Sequence, residues 1–148
     1  MNLKKILIAV DDSPQSKRAR ELGVELANAI EAEIAFVYVF DASATPAGAW
    51  GFPADRIRAM SELQGKRLLD KFLEGLPQKP VSKTEVREFL ESGSPAESIV
   101  RVAKKWGADL IVMGSRGRGK VKGILLGSVS QDVLSNSPCP VLVAPPES

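Results

Sequence analysis

Three short stretches of this chain are apolar on both faces at once, and that property leaves few folds open. Lys4 to Asp11 around Ile6-Leu7-Ile8-Ala9-Val10, Glu33 to Phe40 (EIAFVYVF) and Leu110 to Met113 lack the alternation of a half-exposed strand. Each therefore predicts an internal strand covered by helices on both sides. Stripes at helical spacing separate them. Ser13-Pro14 is an N-cap with proline at the first helical position, and Ala19, Leu22, Leu26 and Ala29 follow as a buried face. Ala54 to Leu76 carries Ile57, Met60, Leu68, Leu69, Phe72, Leu73 and Leu76, mildly interrupted by Gly65, and Pro77 and Pro80 close it. Ser94-Pro95-Ala96-Glu97 reads as a capping box before a stripe of Ala96, Ile99, Ala103 and Trp106, with Gly107 as the stop. Ser128 to Asn136 is a short helix packing through Val129 and Val133.

Two further strands differ in kind. Lys83 to Leu90 alternates, with Thr84, Val86, Glu88 and Leu90 on one face and Glu85, Arg87 and Phe89 on the other, so it carries charge that a buried strand would not. Val141 to Ala144 is brief and bracketed by prolines. Both suit sheet edges. Strands alternating with helices predict a parallel sheet, and with these edges its order is 3-2-1-4-5. The expected fold class is thus α/β: one domain spanning residues 1–148, a parallel five-stranded sheet with helices on both faces. Strands one and four are neighbours whose connections leave in opposite directions, which opens a crevice beyond their carboxyl ends.

Both unusual loops empty into that crevice. One is Asp11-Asp12-Ser13. The other, Gly114 to Ser128 (GSRGRGKVKGILLGS), holds five glycines and four basic residues and no acid, and it runs from a buried strand into a helix that starts at a serine. That arrangement suits an anion held close to main-chain N–H groups. Gly114 to Lys120 fits G-x-x-x-x-G-K, but Val121 stands where a P-loop needs a hydroxyl for magnesium. Gly117, Gly119 and Gly123 are spaced one residue too far for the dinucleotide fingerprint and lie after the fourth strand rather than the first.

Composition removes several chemistries. The chain has no histidine, which excludes Ser-His-Asp and Cys-His machinery and the commonest metal ligand. Its one cysteine, Cys139, has no internal disulfide partner and points to a reducing compartment. No run approaches membrane-spanning length and the N-terminal apolar run is too short for a signal peptide, so the expected location is the cytoplasm, away from membranes. A formal charge of +2 is small for a bulk nucleic-acid binder, although Arg116, Arg118, Lys120 and Lys122 concentrate it locally. Met113, Trp106 and Cys139 are packing residues by default. Asp41 to Pro53, rich in Ala, Gly and Pro, reads as a loop anchored by Trp50 and Phe52.

The residue chemistry predicts where a nucleotide would lie. Gly114 and Gly117 let the backbone approach phosphate oxygens, Gly127, Ser128 and Val129 present N–H groups at a helix start, and the Ser128 and Ser130 hydroxyls add donors. Asp11 repels phosphate. It suits ribose hydroxyls or a Mg2+ or Mn2+ ion bridging the phosphates, while Asp12 is a solvated turn residue or helix-start acid. Ala9, Val10 and Val39, at strand ends beside the crevice, bracket the base; Ser13, Met113 and Ser115 complete the expected contacts.

Gly114-x-x-Gly117, nine residues, then Gly127-Ser128 resembles the signature of the ATP-binding branch of the universal stress protein family. The resemblance extends over nearly the whole chain. Ile6 to Ser13 (ILIAVDDS) is similar to its first strand and acidic turn, Gly93 to Ala96 (GSPA) to its third-helix entry, and Ser137 to Pro145 (SPCPVLVAP) to its last strand. It implies a Rossmann-like fold of the adenine nucleotide alpha hydrolase-like type, with ATP as ligand. It also implies that Asp11, Val39, Gly114, Gly117, Gly127 and Ser128 serve the nucleotide, as matching positions do in the family. The family's habit of dimerising implies a homodimer through Val141 to Ala144, whose edge exposes main-chain groups to a two-fold mate.

With no histidine, no Walker serine and no evident general base, hydrolysis is expected to be slow or absent. The favoured reading is a regulatory nucleotide binder in which ATP orders the basic loop and changes a surface read by a protein partner. The alternative is a nucleotide-free dimeric adaptor whose Gly-rich loop itself binds that partner. RNA binding by the loop is disfavoured, because the interleaved surface aromatics of a stacking platform are missing.

Overall fold

The computed structural model describes residues 2–11, 13–40, 54–77, 80, 86–115 and 126–145. Its elements alternate as β1 (Lys5–Val10), α1 (Pro14–Ile30), β2 (Glu33–Phe40), α2 (Ala54–Glu74), β3 (Arg87–Ser92), α3 (Pro95–Trp106), β4 (Leu110–Gly114), α4 (Ser128–Asn136) and β5 (Val141–Ala144). All strand pairings are parallel and the order is β3-β2-β1-β4-β5, so the expected topology holds. Register follows from the apolar runs: Ile6 to Val10 of β1 lie opposite Ile34 to Tyr38 of β2. Ile6 to Ile8 also lie opposite Leu110 to Val112 of β4.

The two faces of the sheet build two separate cores, because successive strand residues point to opposite sides. Ile6, Ile8, Val10, Ile34 and Phe36 face α1 and α2 and meet Val24, Ala27 and Leu69 there. Leu7, Ala9, Ala35, Val37, Ile111 and Met113 face α3 and α4 and meet Ile99, Ala103 and Val133. Trp106 and Cys139 pack against this second core, which makes them structural. Burial pushes the Cys139 thiol up from its ordinary value, against the hydrogen bond of the Ser137 hydroxyl.

Several local expectations are corrected. The buried face of α1 runs through Ser16, Ala19, Gly23, Val24 and Ala27, with Leu22 and Leu26 half-buried at its flank and Ala29 exposed. Measured from Gly23, Ala29 lies about 120° round the helix, outside the contact. Small residues occupy this face because α1 sits very close to β1: a Cβ on Gly23 would come within 2.6 Å of Ile8 Cδ1. Gly65 is likewise a contact point rather than a mere interruption, since a Cβ there would meet Leu90 Cδ2 at 2.8 Å. Met60 is exposed, being on the side of α2 opposite Leu69. The described part of the third strand is Arg87–Ser92, ending two residues beyond the expected Leu90, and residues 83–85 fall outside the described residues. Its alternation is as expected, with Leu90 toward α2 and Phe89 edge-on to Trp106. Lys66 of α2 engages Glu88 from the outside.

Neither serine cap forms. Ser94 precedes α3 with no side-chain cap bond, so the box with Glu97 is absent and the start rests on Pro95. Gly107 ends the helix in the left-handed region, as expected of its lack of a side chain.

Candidate functional site

The crevice is built where β1 and β4, paired through Ile8 and Val112, both run out toward their carboxyl ends. Two residues further along each chain are Val10 and Gly114, and the chain then turns into α1 on one side and toward α4 on the other. On the β2 side, the step after the Val10–Tyr38 pair brings Asp11 level with Val39.

The β4 end is closed by a small set of hydrogen bonds. Ser115 N–H donates to the Ala144 carbonyl (2.9 Å), extending the β4–β5 ladder by one step, and Gly127 N–H donates to the Ser115 carbonyl (2.6 Å). The Ser130 hydroxyl, itself buried, reaches the carbonyls of Gly114 (2.9 Å) and Ser115 (3.0 Å). Ser115 and Gly127 thus pin together the two ends of the glycine-rich segment. The helix that follows starts at Ser128 with Gly127 as its cap residue, and the first main-chain N–H groups of α4 have no acceptor within the helix. Beside them, the Ser115 hydroxyl is buried without a hydrogen-bond partner among the described residues. An orphaned buried hydroxyl costs about 1–3 kcal/mol unless something supplies an acceptor.

On the β1 side Asp11 is partly exposed. Its Oδ1 accepts from Ser13 N–H (2.8 Å) and from the Ser13 hydroxyl. Ser13 therefore spends its side chain on Asp11 rather than on the first turn of α1, which has no side-chain cap. The Asp11 carbonyl accepts from the Ser16 hydroxyl (2.7 Å), and Ser16 Oγ accepts from Arg20 Nη1 (2.8 Å). Ser16 and Arg20 were not legible as site residues. Their spacing of four on the helix leaving Asp11 was the available signal.

The structure brings together Ala9, Val10, Asp11 and Ser13 from the β1 end and Gly114, Ser115, Gly127, Ser128, Val129 and Ser130 from the β4–α4 junction. Three expected roles change. Gly127 N–H is already committed to Ser115, so the helix tip offers the N–H groups of Ser128, Val129 and Ser130 instead. The Ser130 hydroxyl is committed to two carbonyls, which makes it a tie between strand and helix. Val10 turns its side chain into the α1–α2 core and reaches the crevice only through its main chain, whereas Ala9, Val39 and Met113 share the opposite face. Asp12, Gly117, the four basic side chains of the glycine-rich loop, and the Asp41 to Pro53 loop lie outside the described residues.

In chemical terms the junction offers donors to an anion and, a strand away, a carboxylate acceptor for hydroxyls. Donors for phosphate beside an acceptor for sugar fit a nucleotide. No group of three His, Cys, Asp or Glu that could hold a metal occurs among the described residues. Asp11 alone does not make a metal site, so an ion there would need further ligands. An open groove of about 730 Å³ between α3 and α4, lined by Glu97, Arg101, Lys104, Lys105 and Asp132 among others, contains none of these residues. No helix among the described residues is long and apolar enough to cross a membrane.

Comparison with known proteins follows the same lines. The chain is 38% identical over 147 residues to universal stress protein MJ0531 of Methanocaldococcus jannaschii, covering 95% of this chain and 81% of that one. Its fold is similar to the solved structure of the hypothetical protein MJ0577, with a TM-score of 0.83 and 26% identity over 100% of this chain and 99% of that one. A universal stress protein from Archaeoglobus fulgidus, solved in complex with dAMP, shares the fold at a TM-score of 0.62 and 24% identity, covering 97% of this chain and 98% of its own. The profile of the Universal stress protein family matches residues 2–145, and the chain belongs to that family.

Proposed function

We propose that this chain binds an adenine nucleotide, ATP in the first place, across the carboxyl ends of β1 and β4, as a regulatory binder with slow or no hydrolysis. The observation that carries the reading is the β4–α4 junction. A buried hydroxyl without a hydrogen-bond partner among the described residues lies beside the opening N–H groups of a helix, which have no acceptor within it, at the two pinned ends of a glycine-rich segment. A phosphate group would satisfy both.

In this reading Gly114, Ser115, Gly117 and the main-chain N–H groups of Ser128, Val129 and Ser130 serve the phosphates, Gly127 lets them approach the backbone, and the Ser130 hydroxyl holds their platform. Asp11, oriented by Ser13, serves the ribose or an Mg2+ or Mn2+ ion carried by the phosphates. Ala9, Val39 and Met113, with the main chain of Val10, lie toward the base. The resemblance to the ATP-binding branch of the family supports ATP over other anions. The absence of histidine throughout the sequence supports regulation over fast turnover. ATP would order the basic loop and alter a surface read by a cytoplasmic protein partner.

Mass spectrometry of the small molecules released on denaturing the purified protein tests this directly. The expected result is an adenine nucleotide in near-stoichiometric amount, or saturable ATP binding if the protein is purified empty. Neither a carried nucleotide nor saturable ATP binding would return the reading to a nucleotide-free adaptor.

Assembly belongs to the same proposal. β5 is an edge strand with Val141, Leu142 and Val143 only half-buried, and a two-fold mate could pair with it antiparallel. Sedimentation at micromolar concentration is expected to give twice the mass of 15.9 kDa. A Val143→Pro variant, which removes a strand N–H, is expected to sediment as a monomer. A wild-type monomer would overturn the dimer.

A further inference from the structure

Behind Asp11 lies a short relay that runs to the far helix of the same face. Arg20 Nη1 donates to Ser16 Oγ (2.8 Å), and Ser16 Oγ donates to the Asp11 carbonyl (2.7 Å). The guanidinium carbon stands 3.9 Å from the centre of the Phe72 ring of α2. Arg20 is therefore held from two sides, by a hydroxyl that grips the Asp11 main chain and by an aromatic face that limits its swing. Burial weakens its hold on the proton, and the negative charges of Glu21 and Asp11 oppose that weakening. An arginine nevertheless stays charged in a protein. The result is a fixed positive charge close enough to Asp11 to interact with it electrostatically, in a spot partly removed from solvent.

That charge bears on a choice the site otherwise leaves open, namely whether Asp11 meets sugar hydroxyls or a cation. Among the described residues, the donors to its carboxylate are those of Ser13, both on Oδ1, so Oδ2 is the oxygen left to accept. A neutral hydroxyl approaches that oxygen with no penalty from Arg20, whereas a divalent ion is repelled by it, and no group of three His, Cys, Asp or Glu that could hold a metal lies among the described residues. We propose that Arg20 is the positioning residue of the site: braced on Phe72 and Ser16, it fixes the Asp11 turn and reserves the Asp11 carboxylate for sugar hydroxyls against divalent cations. This deepens the nucleotide reading and rests on it for the identity of the hydroxyls, but the exclusion of cations is a property of the protein alone.

The test compares wild type with Arg20→Met, which keeps an apolar stem against Phe72, and Arg20→Lys, which keeps the charge. Calorimetric titrations use ATP and 2′,3′-dideoxy-ATP. Arg20→Met is expected to weaken ATP about fivefold and the dideoxy analogue less than about twofold, a loss within the range of one charge-assisted hydrogen bond. Equal weakening of both would make Arg20 a merely structural residue and overturn the proposal.

A second arm needs no nucleotide. Paramagnetic broadening of the Ser13 amide by Mn2+ alone is expected to rise at least about threefold in Arg20→Met and to stay at the wild-type level in Arg20→Lys. Unchanged broadening in Arg20→Met would overturn the exclusion of cations. Absence of ATP binding to wild type would instead sink the nucleotide reading, while the manganese arm still decides the electrostatic role.

Discussion

Gly127→Val is expected to lower ATP affinity at least about thirtyfold, equivalent to about 2 kcal/mol, with little change in the fold. Gly127 has φ −73° and ψ 166°, extended backbone that any residue adopts, so the conformation itself does not require glycine. Valine is a poorer cap residue, which costs the helix about 0.5–2 kcal/mol at most. The N–H to the Ser115 carbonyl remains in place. What valine adds is a branched side chain at the step between Ser115 and the N–H groups of α4, where the proposed phosphate comes close to the backbone. Isothermal titration with ATP, alongside urea unfolding of the same variant, separates the two effects. Undiminished affinity would mean that the phosphates are not held at this junction.

The largest stability effect is expected from Phe36→Ala, at about 3–5 kcal/mol. Phe36 is 1% exposed, sits on the internal strand β2 opposite Ile8, and belongs to the core shared by α1 and α2. Alanine removes a ring that neighbours fixed by the sheet cannot replace, so a cavity is left between the sheet and two helices. The urea midpoint is expected to fall with an unchanged slope, and the melting temperature by roughly 10 °C or more. Met60→Ala is the matched control, since Met60 is 59% exposed and its loss is expected to cost within about 0.5 kcal/mol. Comparable losses for both variants would contradict the placement of the core.

The contrast between these two residues also explains what could be read from the chain. Phe36 lies in a continuous apolar run, and such runs mark internal strands without reference to anything distant; hence the sheet order was legible. Met60 fits the periodicity of α2 but lies on its outer side, because a stripe of long side chains does not say which edge of a helix meets the sheet. Gly23 and Gly65 carry the same lesson in reverse. They look like weak points of helices in the sequence and are the positions of closest approach to Ile8 and Leu90.

The geometry of the candidate site was legible where it is local and illegible where it is relayed. Asp11, Gly114 and Ser128 are announced by the turn and helix start on which they lie. The commitments of Gly127 N–H and the Ser130 hydroxyl to Ser115 depend on how the loop ends meet, and spacing does not encode that. Arg20 depends on Phe72, fifty-two positions further along the chain, and only packing joins them.

Amide chemical-shift mapping on titration with ATP tests the central claim most directly. The account predicts saturable shifts concentrated at Asp11, Ser13, Ser115, Ser128 and Val129, the two sides of one crevice. Saturating ATP that leaves those amides unmoved, or that shifts only the α3–α4 groove around Arg101, Lys104 and Lys105, would contradict it.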